Sequence, residues 1–238
     1  MVNNMHVPHR VALYYAPAVE SAWWRAGSSW LGRCAATGLS ITQPQVEGCT
    51  SESFERLTSD PRRYGWHGTL RAPFRLAEGK SLEDVRAATR LLCAERKGFE
   101  LAPLQVSRLG GFLALRPSQS QPELDRLASD CVRQMHRLAA PLSEDEIARR
   151  RRAALSAEQK ELLQTWGYPY VFGQFRFHLS LTGPLQDLPE DTQALLIEKA
   201  NAHFHELPAC RVDRVSLFVE PAPGAHFRLL EQIEFSYE

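Results

Sequence analysis

Apolar and polar positions along the chain fall into runs of two periods. RVALYYAP (10–17) is an apolar run stopped by Pro17 and reads as an opening strand, whereas residues 21–35 space aromatic and small residues as on a helix, after the candidate cap Ser21. Residues 36–63 carry neither period. YGWHGTLRAPFRL (64–76) is rich in β-branched and aromatic residues and predicts a second strand. A helix is predicted over 81–98, where Ser81 can cap, Glu83 and Asp84 suit the positive end of the dipole, and Gly98 lies past the last turn. FELAPLQVSRLGGFLALRP (99–117) predicts a hairpin turning at Gly110 and Gly111. Helices over 121–138 and 143–165 follow, then a strand over 172–185, a helix over 189–205, and a hairpin of 211–220 and 226–235 joined by PAPGA.

The order strand, helix, hairpin therefore occurs twice, in approximately residues 64–117 and 172–236. The two blocks align residue by residue. His67, Leu70 and Pro73 meet His178, Leu181 and Pro184, Thr69 meets Ser180, and further on Glu100, Leu101, Val106 and Arg108 meet Glu206, Leu207, Val212 and Arg214. Two such copies predict one domain over 1–238 with two lobes related by a pseudo-twofold, their equivalent strands facing one another across a cleft, which sets His67 opposite His178.

Composition narrows the partners. Lys plus Arg equals Asp plus Glu at 28 each, so no global field attracts RNA or an anionic membrane, and an RNA end is not the favoured ligand. Any affinity for phosphate has to be local. MVNNMHVPHR lacks the apolar core of a signal peptide and no run of about 18 apolar residues occurs, so a cytoplasmic location and no membrane partner are expected. The five cysteines are scattered, with no CxxC pair, and read as buried apolar residues. No metal ligand set, HExxH, GxSxG elbow or GxxxxGK loop is found, and no cofactor is expected.

Strand alternation puts His67, Thr69 and Arg71 on one face, and His178, Ser180 and Thr182 on the equivalent face of the second copy, while Leu70 and Leu181 point into the core. Each strand then offers a base and a hydroxyl. Cleaving a phosphodiester needs proton removal from the attacking oxygen, proton delivery to the leaving oxygen, and hydrogen bonds to the non-bridging oxygens. Two imidazoles titrating near neutrality and two hydroxyls supply all three without a metal. Arg71 is the candidate bidentate phosphate contact and Thr182 a further hydroxyl. Of the aromatics Trp166, Tyr168, Tyr170 and Phe172, Tyr168 is taken as the candidate to stack on a base or sugar. Tyr15 has a similar claim, though such clusters beside strands are more often core.

The paired His-x-Thr/Ser motifs on repeated strands resemble the two-histidine phosphoesterase superfamily, which includes cyclic phosphodiesterases. YGWHGTLRAPFRL, PLSEDEIARRRRAALS, WGYPYVFGQFRFHLSLTG and SLFVEPAPGAHFRLL are similar to a bacterial branch encoded with phosphonate-utilisation genes. The resemblance implies a bilobal α+β fold, each lobe centred on an antiparallel sheet, with His67, Thr69, His178 and Ser180 at the four motif positions. One departure is Gly68, where a bulkier residue is usual and which is expected to loosen the strand. The function expected is a hydrolase acting on a small cyclic phosphate or a nucleotide or ribosyl phosphodiester. The alternative is a non-catalytic binding protein for RNA ends or a phosphorylated metabolite. The run ARRRRA (148–153) reads as a solvated helix face or a phosphate-attracting rim. His6, His9, His136, His203, His205 and His226 lack the motif context and read as surface or structural.

Overall fold

The opening apolar run folds as β1 (Arg10–Tyr15), and both its faces are buried. Val11, Leu13 and Tyr15 enter the main core, and Ala12 and Tyr14 enter a smaller one with Trp24, Phe218 and Phe227. The computed structural model describes residues 7–151 and 154–236; His6, Arg152 and Ala153 lie outside them, as do the side chains of Arg149 and Arg151. α1 (Ala22–Leu31) starts at Ser21, whose hydroxyl accepts from the Trp24 amide, and stops at Gly32 in the left-handed region. The stretch read as irregular contains α2 (Ser51–Leu57) and α3 (Ser59–Tyr64), helices too short to impress a period on the sequence. Because α3 absorbs Tyr64, β2 (Gly68–Phe74) begins later than the pattern suggested.

α4 (Leu82–Ala94) opens on a capping box between Ser81 and Asp84. β3 (Phe99–Glu100), β4 (Leu104–Leu109) and β5 (Phe112–Pro117) come next, the last two forming a hairpin through Gly110 at φ 59°. After α5 (Pro122–His136), the helix expected over 143–165 is two helices, α6 (Glu144–Arg151) and α7 (Ala157–Trp166). Ser156 starts a fresh capping box with Gln159 in the middle of the polar run, where periodicity gives no warning. The strand expected over 172–185 shrinks to β6 (Leu179–Ser180): a 3-10 turn occupies Phe172–Gln174, and Phe172 sits at φ 53°, which interrupts extended chain. α8 (Glu190–Phe204), β7 (Arg211–Val212), β8 (Arg214–Glu220) and β9 (Arg228–Glu234) complete the chain.

The fold is α+β. Seven strands form an antiparallel sheet in the order β4-β5-β6-β2-β1-β8-β9, and β3 pairs with β7 apart from it. The hairpin β4-β5 pairs with β6 from the other half of the chain, and β8-β9 reaches β2 through β1. The two sets of strands meet at β2 and β6, where Gly68 and Leu179 are the paired residues. α5 packs on β2, and the Trp30 indole of α1 donates to the Leu181 carbonyl just past β6. No helix among the described residues is long and apolar enough to cross a membrane.

Candidate active site

Gly68 makes the approach of the two motifs possible. A methyl group there would lie 2.3 Å from the ring of Phe177, the residue before His178, so only a glycine lets β2 run this close to β6. The expectation that Gly68 loosens the strand is therefore reversed: it is a packing surface. Across it, His67 and His178 line one cavity of about 620 Å³ together with Thr69, Ser180 and Tyr168.

The two imidazoles are held in the same way. Nδ1 of His67 donates to the Gly65 carbonyl and Nδ1 of His178 to the Arg176 carbonyl, each two residues upstream and each at 2.8 Å. A carbonyl can only accept, so Nδ1 carries the hydrogen and Nε2 of each neutral ring keeps its lone pair. The Thr69 hydroxyl lies 3.3 Å from Nε2 of His67. Tyr14 packs against the His67 ring, with centroids 3.9 Å apart, and Phe112 lies 5.6 Å from the His178 ring. Burial lowers the pKa of both. That of His67 falls from 6.5 to about 4, with the Gly65 carbonyl opposing the shift and the nearby His178 adding to it. His178 moves in the same direction, again mainly through burial. Both rings are thus neutral at pH 7. Burial also pushes Tyr168 up to about 12, so its hydroxyl stays protonated.

Three sequence candidates stand elsewhere or are otherwise engaged. Arg71 is buried, lines a different cavity, and donates from Nη1 to the Trp166 carbonyl at 2.8 Å. The cause is an extra residue in β2: Tyr14 pairs with Thr69 but Leu13 pairs with Arg71, and this bulge reverses the parity of the strand after Thr69. The Arg71 guanidinium, lowered to about 10 by burial and by Arg150, instead meets the negative end of α7, just before the turn that carries Tyr168. Thr182 lines the cavity, but its hydroxyl is used, accepting from the Leu113 amide at 3.0 Å and donating to the Gly183 carbonyl at 2.8 Å. Tyr15 faces the main core, its hydroxyl on Cys210 Sγ and the Arg211 carbonyl. The β1 tyrosine that lines the cavity is Tyr14, its neighbour on the opposite strand face.

Arg63, which reads in the sequence as part of a turn before the first motif, also lines the cavity, as do Arg10, Tyr64 and Phe112. Alternation from Tyr14 back to Arg10 was the one available signal for Arg10. A second cavity of about 440 Å³ adjoins at the His178 side, walled by Phe112, Tyr168, Tyr170 and Phe175. Among the described residues no group of three or more His, Cys, Asp or Glu is placed to hold a metal ion. His203 is structural, with Nε2 3.0 Å from the Ala26 carbonyl.

Comparison with known proteins gives one family and a set of relatives. Residues 69–228 match the family described as a protein of unknown function, DUF1045, a stretch that includes Thr69, His178 and Ser180 and begins two residues after His67. A protein of Janthinobacterium sp. (strain Marseille) named ribose 1,5-bisphosphate phosphokinase PhnN is 41% identical over 230 residues, covering 95% of this chain and 51% of that protein. One of the same name from Laribacter hongkongensis (strain HLHK9) is 40% identical over 222 residues, 92% of this chain and 50% of its own. The chain thus spans about half the length of the curated relatives it matches. Similar solved structures include a phosphoesterase, 14% identical with a TM-score of 0.44 over 96% of this chain and 99% of the other. E. coli LigT complexed with NADP+ is 15% identical with a TM-score of 0.44, over 96% and 98%.

Proposed function

The chain belongs to the DUF1045 family, and on that premise we propose that it is a metal-independent phosphoesterase opening a small cyclic phosphate or ribosyl phosphodiester by paired-histidine acid and base catalysis. The supporting observation is that two imidazoles from distant parts of the chain, each with Nδ1 tied to the carbonyl two residues before it, share one cavity and leave Nε2 unprotonated.

In this reading His67, the more strongly shifted of the two, is the base. Nε2 of His67 takes a proton from water as the water oxygen bonds to phosphorus. The bond from phosphorus to the leaving oxygen breaks, and that oxygen takes the proton from Nε2 of His178. His178 acquires this proton when the substrate's negative charge enters the cavity and raises its pKa. Thr69 and Ser180 hydrogen-bond the non-bridging oxygens. The adjoining aromatic wall, with Tyr168, receives the organic part of the substrate.

The names of the curated relatives favour ribosyl phosphates as the substrate class, as does the resemblance to proteins encoded with phosphonate-utilisation genes. We assign the phosphokinase activity of those names to the half of the relatives that this chain does not span. The expected result is turnover of a cyclic ribosyl or nucleoside phosphate, followed by phosphorus NMR, that persists in excess chelator. It should fall about 10²- to 10⁴-fold in His67→Ala and in His178→Ala. Saturable binding with no product would return the non-catalytic alternative, and unchanged turnover in both variants would reject the mechanism.

A further inference from the structure

At the His67 side of the cavity, two arginines close on one carboxylate. Glu220, at the end of β8, is fully buried and accepts from Arg10 Nε at 2.5 Å through one oxygen and from Arg63 Nη2 at 2.5 Å through the other, with the Gly224 amide 3.1 Å away. Neutralising Glu220 takes one guanidinium. The second leaves a positive charge over, and both arginines line the cavity. Neither head group is loose: Arg10 lies over the Phe227 ring at 5.5 Å and Arg63 over the Tyr64 ring at 5.6 Å. Arg63 Nε is buried and hydrogen-bonds to nothing in the protein among the described residues. Two cations on one carboxylate leave a net positive charge on the cavity wall for an anion to meet.

We propose that Arg10 and Arg63, set by Glu220, form a second anion subsite, and that the substrate is a phosphodiester carrying a further phosphoryl group elsewhere on the same small molecule. This rests on the phosphoesterase reading only for the first phosphate. Arginine forks held in fixed planes suit a phosphoryl group, which accepts two parallel hydrogen bonds. The spacing selects the class further. Arg10 is four residues from Tyr14 on the same face of β1, about 13 Å between Cα atoms, and Tyr14 packs on the His67 ring. We take that separation to fit two phosphoryl groups held apart by a sugar-sized spacer rather than joined as an anhydride. Asp60, also on the cavity wall, lies near Gly183 and can accept from a hydroxyl of the spacer.

The test compares adenosine 2′,3′-cyclic phosphate with its 5′-phosphorylated form. Binding is measured by calorimetry on the His178→Ala protein and turnover on the unaltered protein. The 5′-phosphorylated probe is expected to bind about tenfold more tightly or better. The ratio of the two affinities should fall towards one in Arg63→Gln. Arg63→Lys, which keeps a cation for Glu220 and so guards against misfolding, should lose most of the preference, because the planar fork is gone. Equal affinity for the two probes in the protein with both arginines intact, or a preference unchanged in both Arg63 variants, overturns the subsite. Preference without turnover of either probe would leave the subsite standing and remove the phosphoesterase reading; turnover without preference does the reverse.

Discussion

At the scale of single residues, His67 couples the site to stability. Its folded pKa of about 4 lies below the unfolded value near 6.5, so between those values the unfolded chain binds more protons than the folded one. Stability is therefore complete above about pH 6.5 and declines as pH falls towards 4. Thermal melts of the protein without ligand should show that decline, and His67→Gln should flatten it; an equally steep fall in the variant would mean that other groups carry it. Inorganic phosphate should oppose the loss, since an anion in the cavity favours protonated imidazole. The motif residues were legible because type and spacing alone identify them. Tyr15 and Arg71 were misplaced by one step of parity: which face a strand residue takes depends on a bulge and on pairing register, and neither leaves a mark in local composition.

At the scale of elements, the seam between β2 and β6 depends on Gly68. Gly68→Ala drives a methyl group into the Phe177 ring, which is itself buried. We expect a loss of about 1–3 kcal/mol in stability from overpacking. Turnover is expected to fall by up to about 10²-fold, since small misplacements of catalytic groups are costly. Melting temperature and steady-state rates on one preparation separate the two effects. If the rate were unaffected while the melt shifted, the glycine would matter to packing alone. The capped helices were readable from sequence because Ser21 and Ser81 announce them. The helices α2 and α3 are too short to show a period, and the break before α7 is made by a cap rather than by Pro or Gly. The strand predicted over 172–185 failed because aromatic content favoured it, while its actual course turns at Phe172.

At the scale of the whole molecule, the two sets of strands touch through one short pairing, and the proposed ligand lies across it. Hydrogen exchange should therefore show the amides of β6 and the start of β2 slowing when phosphate binds, with little change at β9 on the far edge. Uniform slowing would mean that the ligand acts on global stability instead. The order strand, helix, hairpin recurs as the pattern gave it, in β2, α4 and β4-β5 and again in β6, α8 and β8-β9; the exchange of hairpins between these groups could not be read, because pairing across long loops is a property of the assembled sheet. That exchange has a further consequence. Each motif strand leans on backbone supplied by the opposite half of the chain, so a cut between α6 and α7 would not release two working units. The two pieces, made separately, should each be incompetent and should regain activity only on mixing, by knitting the sheet together without a covalent link.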